Sequence, residues 1–132
     1  MWWRSLNINE VNILALAYLG DSLYELKVRD YLIKSKIYKV NNLQTKSLKY
    51  VTAKNQCKFI NYLLDNNLLN EDEIDIVKRG RNASTYSHPK NTDIVTYKWA
   101  TALECLFGYL YLLNKNDRID ELIKIILEEI IW

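Results

Sequence analysis

Glycine and proline are scarce, with three and one in 132 residues. So few turn-formers exclude an all-β domain, which needs many tight turns. Only two cysteines occur, Cys57 and Cys105, too few for a disulfide framework or a zinc site. Two free thiols fit a reducing, intracellular compartment. Histidine occurs once, at His88. No apolar run reaches the ~18 residues of a bilayer span, so no membrane partner is expected. No apolar stretch follows Met1-Trp2-Trp3-Arg4, so no secretory signal is expected. What is plentiful is apolar surface: 49% of residues are hydrophobic and 26% charged. That balance buries a core and excludes a disordered tail. The length fits one domain over residues 1–132.

The net charge is only +2, yet its distribution is uneven. Nine cations and one acid, Asp30, lie between Lys27 and Lys58. Between Trp99 and Trp132 the order reverses, with three cations and six acids. A positive field over the first half attracts polyanions. Tyr31, Tyr38, Tyr50 and Phe59 are interleaved with it. A solvated lysine-coated surface would give the same count, so the distribution alone leaves both readings open.

Apolar spacing predicts helix after helix, an all-α domain of about six. Asn9 is placed to cap a first helix that runs through Leu16, Leu23 and Leu32 to near Ser35, with a bend at Gly20. Helices follow at about 42–50 and 52–66. Asn70 caps a short helix that starts acidic (Glu71-Asp72-Glu73) and ends basic (Lys78-Arg79), with Gly80 as its stop. Residues 80–92 contain the only proline, Pro89, and read as the one substantial loop. A strongly apolar helix spans about 93–113, and Asn116 or Asp117 caps a last one through Ile130.

Three constellations can carry chemistry. Asp21 sits in Leu19-Gly20-Asp21-Ser22-Leu23-Tyr24-Glu25 within an apolar helix, with Glu25 four residues on and so on the same face. Glu104 is the only charged residue between Lys98 and Leu113. Acids among apolar neighbours need a stabiliser, either a metal ion or a basic partner. Two isolated carboxylates on two helices suit a shared Mg²⁺ better than zinc. The third constellation is Arg79-Gly80-Arg81-Asn82-Ala83, continuing through His88-Pro89-Lys90-Asn91-Thr92-Asp93. Its cations and amides suit phosphate and sugar contacts. Gly108, inside the apolar helix, implies a close approach of another helix.

Taken in order, Ala15–Glu25, Arg79–Ala83, Pro89–Asp93 and Ala102–Leu112 resemble the Mini-III ribonucleases, small bacterial relatives of ribonuclease III without a separate double-stranded-RNA-binding domain. The resemblance covers roughly residues 6 to 130. It implies a helical homodimer with a valley for duplex RNA, in the bacterial cytoplasm or an organelle. It also implies Mg²⁺-dependent cleavage of double-stranded RNA to 5′-phosphate ends, in maturing precursor large-subunit ribosomal RNA. Contact with a ribosomal protein or an assembling ribosome is left open.

The resemblance makes Asp21 and Glu104 the catalytic, metal-holding acids. Glu25 is a further candidate for the metal or its surroundings. Ala17 and Thr101 stand where the larger enzymes carry two more acids. The expected RNA contacts are Arg79, Arg81, Asn82, Lys90, Asn91 and Thr92, with Lys46 and Lys54 from the basic half.

Two other classes compete. Gly20-Asp21-Ser22-Leu23 spells the motif of a serine hydrolase class. That chemistry needs a Ser-activating His, usually backed by an acid three residues before it. Thr85 holds that place before His88, and the parallel sheet of that class is not predicted. A non-catalytic RNA-binding or ribosome-associated relative would explain Ala17 and Thr101, but not the retained Asp21 and Glu104.

Overall fold

A computed structural model describes residues 6–83, Lys90 and residues 93–130. Among them are six α-helices and no strand: α1 (Ile13–Lys34), α2 (Val40–Val51), α3 (Ala53–Asp65), α4 (Glu71–Asn82), α5 (Ile94–Leu112) and α6 (Asn116–Lys124). A 3-10 turn, Ile8–Glu10, precedes α1. A π turn, Ile125–Glu129, extends α6, and Ile130 N–H closes it by donating to the Ile125 carbonyl at 3.2 Å. No helix of the described residues is long and apolar enough to cross a membrane.

α5 is the axis of the fold. It is apolar on nearly every side, the pattern of a helix buried all round. Its Leu103, Leu106, Phe107 and Leu110 are fully buried, each stabilising the fold by about 1.5–3 kcal/mol. α1 packs along α5 most extensively, followed by α4 and α3. Tyr24 of α1 lays its ring against Phe107 with centroids 5.5 Å apart. Its hydroxyl donates to the Tyr50 carbonyl at 2.8 Å, satisfying the one polar atom in that contact. Burial raises the Tyr24 pKa, so the phenol stays neutral.

Helix ends follow local chemistry. Asn12, not Asn9, caps α1, its side chain accepting the Leu14 N–H at 2.8 Å. Asn9 lies instead in the 3-10 turn that Asn7 caps. α1 then runs unbroken through Gly20. α4 opens with a full capping box: Asn70 accepts the Glu73 N–H and Glu73 accepts the Asn70 N–H, each at 2.9 Å. α4 does not stop at Gly80. It continues to Asn82, because Gly80 is a buried contact against α5 rather than a terminator. Asp93 caps α5 by accepting the Thr96 N–H at 2.9 Å and its hydroxyl at 2.8 Å. Neither Asn116 nor Asp117 caps α6; Lys115 holds that position without a side-chain bond. The reversals after α3 and α5 use Asn67 and Asn114 at φ of 55° and 58°, a left-handed geometry that Asn tolerates.

One ion pair ties the far end of the bundle together. Arg118 of α6 donates Nε to Glu73 Oε2 and Nη2 to Oε1, both at 2.8 Å. Nη2 also reaches the Leu68 carbonyl at 2.6 Å. Glu73 is only 2% exposed. Burial alone would raise its pKa, but hydrogen bonds from Arg118 and the Asn70 backbone, with the nearby positive charge, hold it below the usual range.

Candidate metal and nucleic-acid site

The site exists because two glycines face each other's helix. A Cβ on Gly20 would collide with the Glu104 carbonyl and lie 2.8 Å from the Gly108 nitrogen. A Cβ on Gly108 would collide with the Leu16 carbonyl. α1 and α5 therefore touch backbone to backbone, closer than side chains allow. Asp21 is the next residue after Gly20, and Glu104 is the very residue that Gly20 packs on. The close crossing places their carboxyls within hydrogen-bonding reach of each other.

The two acids open into one pocket of about 280 Å³, together with Ala17, Tyr18, Lys98 and Thr101, and with Gly80 and Ala83 from the end of α4. Asp21 is exposed at its mouth and Glu104 half-buried in its wall. The apolar context had suggested two buried acids; only Glu104 is partly so, because Asp21 stands on the solvent side of α1. Burial, the hydrogen bond with Asp21, and the like charges of Asp21 and Glu25 push the Glu104 carboxyl up to about 9. Without a cation the pair thus holds a proton at neutral pH. A divalent cation between the two would take that proton's place. Oxygen-only donors open to solvent suit Mg²⁺, which keeps several waters and takes one or two carboxylates. The donor set fits such an ion. No group of three or more His, Cys, Asp or Glu forms a metal cluster among the described residues.

The ribonuclease III domain family matches residues 14–115 of this chain. The Mini-ribonuclease 3 of Enterococcus faecalis is 43% identical over 114 residues, covering 86% of each chain. That of Clostridium tetani is 41% identical over 122 residues, 92% of this chain and 80% of its own. The chain belongs to the Mini-ribonuclease 3 family. A crystal structure of a Fusobacterium nucleatum protein superposes with a TM-score of 0.80 at 34% identity, covering 92% of this chain and 95% of that one. The all-α fold and the family read from the sequence are both borne out.

Against this Mini-ribonuclease 3 frame, the expected site residues separate into groups. Asp21 and Glu104 converge, and Ala17 and Thr101, the two non-acidic positions, line the same pocket. Thr101 turns its hydroxyl to the Tyr97 carbonyl, donating at 3.0 Å. Glu25 stands apart from that pocket. It lies 3.8 Å from Arg29 and lines a separate groove between α1 and α2, though its charge reaches Glu104.

Arg79, Arg81 and Asn82 occupy the last turn of α4, beside Gly80 and Ala83 of the pocket. Arg79 is exposed. The Arg81 guanidinium lies over the Trp99 ring at 5.0 Å, and its Nε donates to Asn82 Oδ1 at 3.2 Å. Lys90 is exposed. Asn91, Thr92 and His88 lie outside the described residues.

Lys46 on α2 and Lys54 on α3 are exposed and away from the pocket. The basic first half is partly neutralised, since Lys27 pairs with Asp120 at 2.7 Å and Lys34 with Asp30 at 2.9 Å. Sequence reasoning missed Lys98, which lines the pocket with the two acids. The signal was there: Lys98, Thr101 and Glu104 recur at three-residue steps, one face of a helix.

Proposed function

We propose that this member of the Mini-ribonuclease 3 family is an endoribonuclease that cleaves double-stranded RNA at the pocket of Asp21 and Glu104. The observation that carries this reading is the meeting of two carboxylates from distant parts of a ribonuclease III domain, in a pocket beside the basic end of α4. A binding-only relative would have no use for two contacting acids where phosphates must approach, since they would repel the ligand. A serine esterase is not supported by the all-α fold.

Asp21 and Glu104 would hold the metal, with Glu25 adding negative potential. Mg²⁺ bound there would supply Lewis-acid stabilisation of charge on the phosphate and would lower the pKa of a bound water. The chain's own part is to present two oxygen donors on helices locked by the Gly20–Gly108 crossing, so that the ion site needs little reorganisation. Arg79 and Arg81, with Asn82 and the segment of Lys90, Asn91 and Thr92, meet phosphates and 2′-hydroxyls along the duplex. A-form RNA is gripped through these groups because its major groove is too narrow to read. Lys46 and Lys54 extend that contact from the basic half. Hydrolysis leaves a 5′ phosphate and a 3′ hydroxyl.

The substrate assigned is precursor large-subunit ribosomal RNA in the bacterial cytoplasm, cut at its paired ends. The chain acts as one catalytic domain over residues 1–132 and as a homodimer. Support for pairing comes from exposed apolar side chains on α1 and α2, among them Leu26, Ile33, Val40 and Leu48.

Incubation with a structured duplex RNA, with and without Mg²⁺, tests the assignment. Wild type is expected to cut only with the ion, and Asp21→Asn and Glu104→Gln to lose cutting while still binding RNA. Full cleavage by both variants would overturn the assigned centre.

A further inference from the structure

Lys98 is a cation in a pocket that already holds two acids, yet it neutralises neither. It is half-buried on the inner face of α5, two turns before Glu104. It makes no ion pair or hydrogen bond among the described residues. Its ammonium therefore stands more than an ion-pair distance from Asp21 and Glu104. Half-exposed and without a partner, that charge is available to an anion that enters the pocket. Among the described residues, Lys98 is the one cation that lines the pocket. Arg81 lies over Trp99 and is bonded to Asn82, and Arg79 is exposed on the surface of α4 and does not line the pocket.

The small side chains Ala17 and Thr101 line the same pocket as Lys98 and the acids. An anion entering the pocket meets a wall to which the two acids and Lys98 all contribute. We infer that Lys98 contacts a non-bridging oxygen of the scissile phosphodiester. There it orients the phosphate against the acid pair and stabilises the charge that builds up on it as the bond breaks. This rests on the endoribonuclease reading above. It adds a residue whose contribution is electrostatic and directed at the substrate rather than at the metal. A cation aimed at developing charge raises the rate more than it raises affinity, because the charge it meets is greatest in the transition state. The remaining contacts along the duplex, outside the pocket, set most of the binding free energy.

The test compares wild type, Lys98→Gln, Lys98→Arg and Asp21→Asn on one duplex RNA. Single-turnover cleavage rates are measured with Mg²⁺, RNA affinity by filter binding, and folding by thermal melts. Lys98→Gln is expected to melt like wild type and to bind RNA within about threefold, while its cleavage rate falls about a hundredfold, the lower end of what loss of one transition-state charge partner costs. Lys98→Arg is expected to recover most of that rate, since charge rather than shape is what matters. If Lys98→Gln cuts at the wild-type rate while Asp21→Asn is inactive, the role of Lys98 is overturned and the active centre stands. If Lys98→Gln and Lys98→Arg are equally impaired, the side chain is merely structural and the inference also fails. If wild type itself does not cut duplex RNA, the endoribonuclease reading fails and this inference falls with it.

Discussion

Replacing Gly20 by alanine is the sharpest probe of how the fold makes the site. Alanine is the better helix former, and in an exposed helix the change would stabilise by about 1 kcal/mol. Here the new Cβ meets backbone only: the Glu104 carbonyl, with its carbon at 2.7 Å, and the Gly108 nitrogen at 2.8 Å. Backbone cannot swing aside as a side-chain tip can. Relieving contacts that short means moving α1 from α5 by more than an ångström, toward the ~3.5 Å of ordinary packing. α5 is packed on its other sides by α3 and α4, so the shift opens voids or strains those contacts.

Because the new Cβ meets backbone atoms, the upper end of the ~1–3 kcal/mol cost of overpacking applies, leaving a net loss of about 2 kcal/mol after the gain in helix propensity. The melting temperature is expected to fall by roughly 4–10 °C. The cleavage rate is expected to fall much further, because Asp21 and Glu104 are the residues next to and beneath the new methyl group, and ~1 Å of misplacement can cost ~100-fold. Thermal melts and single-turnover cleavage on one duplex RNA measure both effects. Gly108→Ala, the other half of the crossing, is expected to behave alike. A Gly20→Ala protein with unchanged melting temperature and rate would refute the claim that a backbone-to-backbone crossing sets the carboxylate pair.

Other outcomes follow from the same geometry. Millimolar Mg²⁺ is expected to raise the melting temperature of wild type and to leave that of Glu104→Gln unchanged, because only a folded acid pair binds the ion; equal shifts would argue against the site. Arg118→Met strands the buried Glu73 carboxylate, and urea titration at pH 7 is expected to show a loss of about 3 kcal/mol. Glu73 has a folded-state pKa below its ordinary value, so the stability it contributes is present above the usual carboxylate pKa and disappears as pH falls through the lowered one. Arg118→Met is expected to lose that acid-side decline, whereas an unchanged pH profile would place the decline elsewhere. Arg79→Ala is expected to weaken duplex binding uniformly across sequences and to reduce the salt slope by about 1; filter binding over a range of KCl checks it.

The sequence carried the helices and the acid pair clearly, for reasons that can be named. A carboxylate isolated among apolar residues, as Glu104 is on α5, is conspicuous because its surroundings penalise it. Gly108 likewise announced a close helix contact, now seen against Leu16. Helix ends were less legible. Gly80 has the composition of a stop signal after Lys78-Arg79, but its missing side chain serves a contact with Cys105 and Ala102 of α5, and only tertiary packing distinguishes the two uses. Asn9 and Asn12 are equally good caps in isolation. Glu73 looked like one more acid in a helix first turn. The partner that offsets its burial is Arg118, 45 residues away, a separation that no local pattern reports. Lys98 escaped notice because a lysine near a helix start is ordinary, and its meaning depends on Asp21 arriving from another helix.

The charges of the pocket also bear on how many ions it holds. Asp21 and Glu104 contribute two negative charges when ionised, and Lys98 one positive. One divalent cation and one phosphodiester then bring the site to neutrality. A second divalent cation would leave it strongly positive, with Ala17 and Thr101 offering no carboxylate to offset the excess, and with Glu25 lining a separate groove beside Arg29, whose charge counters its own. Uncompensated charge in a half-enclosed site is costly, so a single ion is the balanced state. The dependence of the single-turnover rate on Mg²⁺ concentration is therefore expected to follow a Hill coefficient near one. Lys98→Gln removes the positive charge that disfavours a second ion, and its curve is expected to steepen as two ions enter. A wild-type coefficient near two would mean that other groups, such as the phosphates of the RNA itself, supply the missing negative charge, and the balance drawn from these three side chains would be wrong.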